Sequence, residues 1–426
     1  MAHTEKERRV FMKIGYACIC LGEPSVNMRT CIMKFASEQR LCDIIEHNLR
    51  SLKNILIYNE QHHIQMFRIT SDLIPFGSSP INQVNWQGRY RDQLQKLGCY
   101  IKAHGLRVSM HPGQYTVLNS PRSDVVDRSI LDLQYHCDVL DAMKLDSTHK
   151  IIIHIGGVYG DKDSAIQRFL TVYQKLSKSI KNRLVIENDD HYYNVEDVWQ
   201  ISLQTGIPVV FDNLHHQILP SPTALSIDAW MNRIAATWQK KDGKQKIHYS
   251  EQAIGKRVGA HADSIRVQTF QNFLVLLENH DVDIMLEVKD KNLSACKAVQ
   301  VLYGNEQSKQ ELWKRYQLCV LAHSPYDYQN IIRHLHQDSN SLFLQRIEQA
   351  FTHPPTASVM TITFRLLTHI LNAHLDEKEL KQVQKALDKY FMHVYSAERV
   401  LKLFYRLANV HDCSIITSSY LFLHLG

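Results

Sequence analysis

The stretch KIIIHIGGVYGDK, residues 150–162, sets the reading of the chain: a β-branched apolar run ends on His154 and gives way, beyond GGVYGDK, to a helix-like segment. Runs of the same kind begin at Lys13 (KIGYAC), Met66 (MFRIT), Arg107 (RVSMH), Arg183 (RLVIEND), Pro208 (PVVFDNL), Gln245 (QKIHY) and Asp283 (DIMLEV). Between them, segments such as 123–145 and 162–181 carry apolar residues at three- and four-residue spacing, as helices covering a sheet do. Eight strand–helix repeats predict an α/β protein built on a (β/α)8 TIM barrel over residues 13–300, after a tail at 1–12. From about Cys296 strands cease. Helical segments at 311–336, 341–351, 359–374, 377–394 and 397–408 predict a smaller all-α C-terminal domain at 308–426, with the boundary at 303–308.

The 426 residues are 44% hydrophobic and 22% charged, which excludes a disordered or collagen-like chain. Nine scattered cysteines without a CxxC pair exclude a disulfide framework and a zinc ribbon, and point to a reducing compartment. No apolar run approaches the roughly 18 residues of a membrane span, and MAHTEKERRVF lacks a signal-peptide core. A cytoplasmic protein, without a membrane partner, is expected. A net charge of +6 permits nucleic acid as a partner without arguing for it. The compositional outlier is histidine, with 24 copies.

Barrel enzymes build their sites where strands end, so the residue types at those positions are informative. The third strand ends in His111, the fourth in His154, the fifth in Glu187, the sixth in Asp212 with His215 close behind, the seventh in His248 and the eighth in Glu287; His261 follows in GAHAD. Taken singly, a strand-end histidine is usually a hydrogen-bonded core or rim residue. Five imidazoles converging with three carboxylates exceed what acid/base work needs, and fit two or three divalent ions sharing bridging carboxylates. Mixed nitrogen and oxygen donors without sulfur point to manganese, zinc or iron.

Clustered metals suit phosphoester hydrolysis; a xylose-isomerase-like sugar isomerase or epimerase is the alternative. A sugar enzyme needs a closed pocket, whereas a nuclease needs an open rim with probes such as Gln114 and Tyr115, beyond His111, and Tyr16, in the first strand. An aromatic packed on the barrel top is the competing reading of Tyr115.

The segments GYAC (15–18), NMRT (27–30), FRITSDLIPF (67–76), MHPGQYTVLNSP (110–121), IIIHIGGVYGDK (151–162), IENDD (186–190), FDNLHH (211–216), KIHYS (246–250), AHAD (260–263) and MLEVKDK (285–291) together resemble the ultraviolet damage endonucleases, which share the endonuclease IV barrel. That resemblance implies a DNA repair endonuclease that cuts double-stranded DNA 5′ to ultraviolet photoproducts, leaving a 3′ hydroxyl and a 5′ phosphate. It implies three metal ions, commonly manganese (Mn2+), with zinc (Zn2+) the other choice. Their ligands would be His111, His154, Glu187, Asp212, His215, His248, His261 and Glu287, with Glu187 and Lys246 as catalytic groups and Lys246 open to carboxylation. Gln114 and Tyr115 match a pair of duplex probes, and Tyr16 a second lesion contact. Arg68, Lys162 and Lys289 are candidate phosphate contacts. Around Cys18 and Cys20 the first loop departs from the bacterial form, where an asparagine contacts the lesion. A monomer is expected. WKRYQLCVLAHSPYDY (313–328), KALDKYF (385–391) and LFLHLG (421–426) resemble the helical YbgA-type domain. A cap and turn between two helices account for His323 and Ser324.

Overall fold

All eight β-branched runs form strands in the computed structural model, which describes residues 12–22 and 24–423. The strands are β1 (Ile14–Ala17), β2 (Met66–Ile69), β3 (Arg107–Met110), β4 (Ile151–Ile153), β5 (Leu184–Glu187), β6 (Val209–Asp212), β7 (Gln245–Tyr249) and β8 (Val282–Leu286). They pair in chain order, all parallel, and β1 closes on β8, so the sheet is the expected TIM barrel. Closure depends on Gly15, which pairs with Met66; a Cβ there would lie within 2.5 Å of the Met66 carbonyl oxygen. The tail expected at 1–12 lies outside the described residues except for Met12.

Side chains of a strand alternate between its two faces, so the candidate ligands fix the phase of their strands. Two residues below His154, Glu187 and Asp212 stand Ile152, Val185 and Val210, which pack together as a buried cluster. By the same count Ser109 lies beneath His111, Lys246 beneath His248 and Met285 beneath Glu287. One layer lower come Arg107, Lys150, Arg183 and Asp283. The barrel interior is therefore stacked: acid and imidazole at the mouth, mostly apolar side chains in the middle, paired charges at the floor.

The helix Ser123–Ala142 fills its expected span but for residues 143–145. The segment expected as one helix at 162–181 is two, Lys162–Lys175 and Lys178–Arg183. Leu176 turns extended, and the Ser177 hydroxyl accepts from Ile180 N at 3.3 Å, starting the second helix.

The described residues divide into two compact units, the first comprising 12–20, 25–265 and 272–296, the second 21–22, 24, 266–271 and 297–423. The second unit is helical throughout its described residues from 297 onward, with Phe364, Leu367, Leu371, Phe404 and Leu407 at the centre of its core. The stretch expected as helix at 311–336 breaks into Glu306–His323 and Pro325–His334, because Pro325 has no N–H to continue a helix and Ser324 caps the next one by accepting from Asp327 N at 3.1 Å. Among the described residues no helix is long and apolar enough to cross a membrane.

Candidate metal centre

Three groups of side chains at the barrel mouth each bring three donor atoms within 4.8 Å of one another: His111, His154 and Glu187; Glu187, Asp212 and His215; Glu187, His248 and Glu287. Glu187 belongs to all three, so the groups form one cluster around it. Its Oε2 lies 3.4 Å from His111 Nε2 and 3.7 Å from His154 Nε2, and its Oε1 lies 2.7 Å from His248 Nδ1 and 3.8 Å from His215 Nδ1. Glu287 Oε1 stands 3.1 Å from His248 Nδ1 on the far side. The eighth candidate, His261, is outside these groups, but its ring centroid is 6.4 Å from that of His215, continuing an arc of imidazoles from His111 and His154.

Backbone carbonyls fix the histidine tautomers. Nδ1 of His111 donates to Pro112 O at 3.0 Å, Nδ1 of His215 to Asn188 O at 2.9 Å, and Nδ1 of His261 to Glu287 O. With the proton held on Nδ1, the Nε2 lone pair of each ring is left for a cation, as in most histidine metal ligands. The Asn188 side chain bonds both the N–H and the carbonyl of Asp212, locking the end of β6 to β5.

The three carboxylates differ electrostatically: burial would raise Glu187 and Glu287, but His248 and His154 hold Glu187, and Arg68 and His248 hold Glu287, well below the usual carboxylate range. Asp212, with no exposed surface, is pushed up to about 7 by burial, helped by Glu187 and Glu287. Burial pulls His215 down, but Asp212 and Glu187 outweigh it and raise the imidazole to about 9. Burial brings His248 down to about 4 against the pull of Glu187 and Glu287. Glu187 Oε2 and Asp212 Oδ2 are buried without a hydrogen bond. Anionic oxygens with free lone pairs, imidazoles turned to present Nε2, and no thiolate make a donor set that fits hard or borderline divalent cations.

Two candidate contacts with DNA lie elsewhere than expected. Tyr16 is fully buried and its hydroxyl donates to Asn59 Oδ1 at 2.8 Å, in the helix Glu38–Gln61. It sits on the outward phase of β1, facing the helical layer, and so cannot meet a lesion at the mouth. Arg68 is 7% exposed; it pairs with Glu287 and approaches His248 Nε2 at 3.1 Å. The guanidinium is thus part of the cluster's own charge balance and not a rim contact. Its position, opposite the inward-facing Ser109 of β3 and one layer beneath the ligands, is the signal that could have placed it. Lys162 and Lys289 are half-satisfied rim charges, paired with Asp197 at 2.5 Å and Asp263 at 2.8 Å.

Gln114 and Tyr115 are exposed on the loop after β3, with Tyr115 68% accessible. The next residue anchors them: Thr116 donates to the buried Asp132 carboxylate at 2.6 Å. Lys246 is 1% exposed in the middle layer, and burial, with Arg107 and Arg68 adding to it, holds its amine well below the usual lysine range. Among the described residues no carboxylate is within ion-pair distance of it.

Comparison with known proteins agrees with this geometry. The family described as UV-endonuclease UvdE matches residues 12–314. The UV DNA damage endonuclease of Clostridium perfringens (strain 13 / Type A) is 39% identical over 384 residues, covering 89% of this chain and 92% of the relative, so the similarity extends into the helical unit. The protein of the same name from Bacillus cereus (strain 03BB102) is 34% identical over 273 residues, 64% of this chain and 86% of its own. Among solved structures, the crystal structure of SacUVDE superposes with a TM-score of 0.65 at 42% identity, covering 68% of this chain and 98% of that one. The chain belongs to the UV-endonuclease UvdE family.

Proposed function

We propose that this chain is a DNA repair endonuclease that uses divalent cations to hydrolyse the phosphodiester 5′ to ultraviolet photoproducts in duplex DNA, leaving a 3′ hydroxyl and a 5′ phosphate. The observation that carries the reading is the set of three donor groups joined by Glu187 at the barrel mouth, in a member of this family. Three sites with one shared carboxylate accord with three ions, manganese before zinc. The chemistry supplied by such ions is activation of water and neutralisation of charge on the phosphoryl oxygens.

The residues divide the remaining work. Glu187 holds the three groups together, and His111, His215 and His261 present Nε2 because backbone carbonyls hold their protons on Nδ1. Arg68 orients Glu287 and His248 from the side of β2. Gln114 and Tyr115, on a loop beside His111, enter the duplex and hold the damaged bases unstacked, which costs less at a lesion than in intact DNA. Lys246, buried beneath His248 and kept from its charged form, adds to carbon dioxide through its amine and releases a proton, becoming a carbamate that contributes one more anionic oxygen pair. The protein acts as a cytoplasmic monomer.

The test is a duplex carrying one defined photoproduct, incubated with and without manganese, with the cut mapped on both strands. A nick immediately 5′ to the lesion, with a 3′ end that a polymerase can extend, is expected only with metal. A duplex left intact in every divalent metal would overturn the proposal, and conversion of a ketose or aldose by the same preparation would replace it with the isomerase.

A further inference from the structure

The loop that follows β4 repeats the construction of the loop that follows β3. In each, a candidate ligand at the strand end, His111 or His154, is followed within five residues by the triplet Gly-x-Tyr, Gly113–Tyr115 in one and Gly157–Tyr159 in the other. In each, the tyrosine ring lies against its own glycine. A Cβ at Gly113 would come 2.9 Å from Tyr115 Cζ, and a Cβ at Gly157 would come 3.4 Å from Tyr159 Cζ. In each, much of the ring remains open: Tyr115 is 68% and Tyr159 48% exposed.

The two loops are neighbours and are fastened together. β3 pairs with β4, and the His111 and His154 rings are 5.4 Å apart. Asn119, from the first loop, donates to Gly157 O at 2.8 Å, and Tyr193 O–H reaches the same carbonyl at 3.3 Å. Tyr159 itself is held at φ 52°, a left-handed conformation that costs a non-glycine residue about 1 kcal/mol or more. Its ring also carries the Arg168 guanidinium, 5.6 Å from the centroid. An exposed ring that the backbone is strained to present, with a cation beside it, has the makings of a stacking platform for a nucleic acid strand.

We infer that Tyr159 is a second DNA-contacting aromatic residue, which stacks on the DNA strand alongside the contact made by Tyr115. The inference rests on the nuclease reading above and adds a contact to it. Every base, once unstacked, has a stacking face, so the contact is not tied to one sequence.

The test uses the full chain and a fluorescent duplex whose bond 5′ to a single photoproduct is replaced by an uncleavable linkage, with anisotropy giving the Kd and elemental analysis the metal content. Tyr159→Ala is expected to raise Kd about tenfold at unchanged metal content, and Tyr159→Phe to bind like the wild type. Tyr326→Ala, at an exposed tyrosine of the helical unit, is expected to change nothing. Wild-type affinity in Tyr159→Ala would overturn the inference, as would an equal loss in Tyr326→Ala or a fall in metal content matching the fall in affinity. If the wild type itself does not bind this duplex, the nuclease reading fails and takes this contact with it.

Discussion

The mouth and the floor of the barrel are both crowded with buried ionisable groups, yet they are built on opposite rules. At the floor, opposite charges meet: Arg107 Nη1 donates to Asp283 at 2.9 Å, and Lys150 Nζ to Asp242 at 2.6 Å and to Asn182 O at 2.7 Å. Arg183 pairs with Asp141 and donates to the carbonyls of Asp146 and His149. At the mouth, three carboxylates gather around imidazoles, and buried oxygens of Glu187 and Asp212 have no hydrogen bond. Paired buried charges make a plug that needs nothing further. Beyond Arg68, which pairs with Glu287, the mouth leaves buried carboxylate oxygens unpartnered, and perturbed, unbalanced groups of this kind mark sites where balanced ones mark structure.

Removing Glu187 is the largest blow to the mouth. Glu187→Ala breaks all three donor groups at once, and cutting of a photoproduct duplex is expected to fall to background, with bound metal lost in parallel. In chelator the same variant should unfold in urea close to the wild type, because the loss of the His248 contact at 2.7 Å offsets the relief of no longer burying a carboxylate. Clear destabilisation in chelator would mean that the mouth is structural in the way the floor is.

The converse holds at the other end. Asp283→Ala leaves Arg107 buried without its carboxylate and is expected to cost about 3–5 kcal/mol in urea unfolding, while metal content and cutting per folded molecule stay at the wild-type level. Arg68→Met comes next. It frees Glu287 from its guanidinium and should lower metal affinity or cutting by about 10–100-fold, the range for a residue that orients ligands from behind; calorimetric titration with manganese would register it. An unchanged titration would return Arg68 to a role at the surface, against its 7% exposure.

Why the two displaced residues are Tyr16 and Arg68 has a physical answer. On six strands a histidine or carboxylate at the end declares which residues point inward, and alternation then orders everything beneath: Ile152, Val185 and Val210, or Lys246 under His248. β1 and β2 carry no such group. Without it, Gly15-Tyr16-Ala17 can be read with either phase, and the exposed-looking Tyr16 faces the helix Glu38–Gln61 instead. Strand starts were legible because β-branched runs between turn residues have few alternatives. The break at Leu176–Ser177 was not, since a serine cap competes with helix continuation by a single hydrogen bond. His261 shows the remaining limit: spacing placed it in the loop, but only the fold brings its ring to 6.4 Å from His215.

The smallest effect belongs to the rim, which obeys neither rule. Tyr115 is exposed, carries no charge into the cluster and rests on Gly113, while Thr116 fixes its loop to Asp132 from below. Tyr115→Ala should therefore leave both the metal content and the unfolding curve as they are. What it removes is an aromatic surface worth about 1–3 kcal/mol per stacked base, so the expected result is a loss of about tenfold in affinity for a photoproduct duplex. Tyr115→Phe should keep most of it, since stacking uses the ring and not the hydroxyl. Thr116→Val separates anchoring from contact: it keeps the ring, leaves the buried Asp132 without its donor, and should lower both loop order and lesion affinity. If Tyr115→Ala loses metal to the same extent as Glu187→Ala, the rim is not separate from the mouth, and the division between holding cations and handling DNA falls with it.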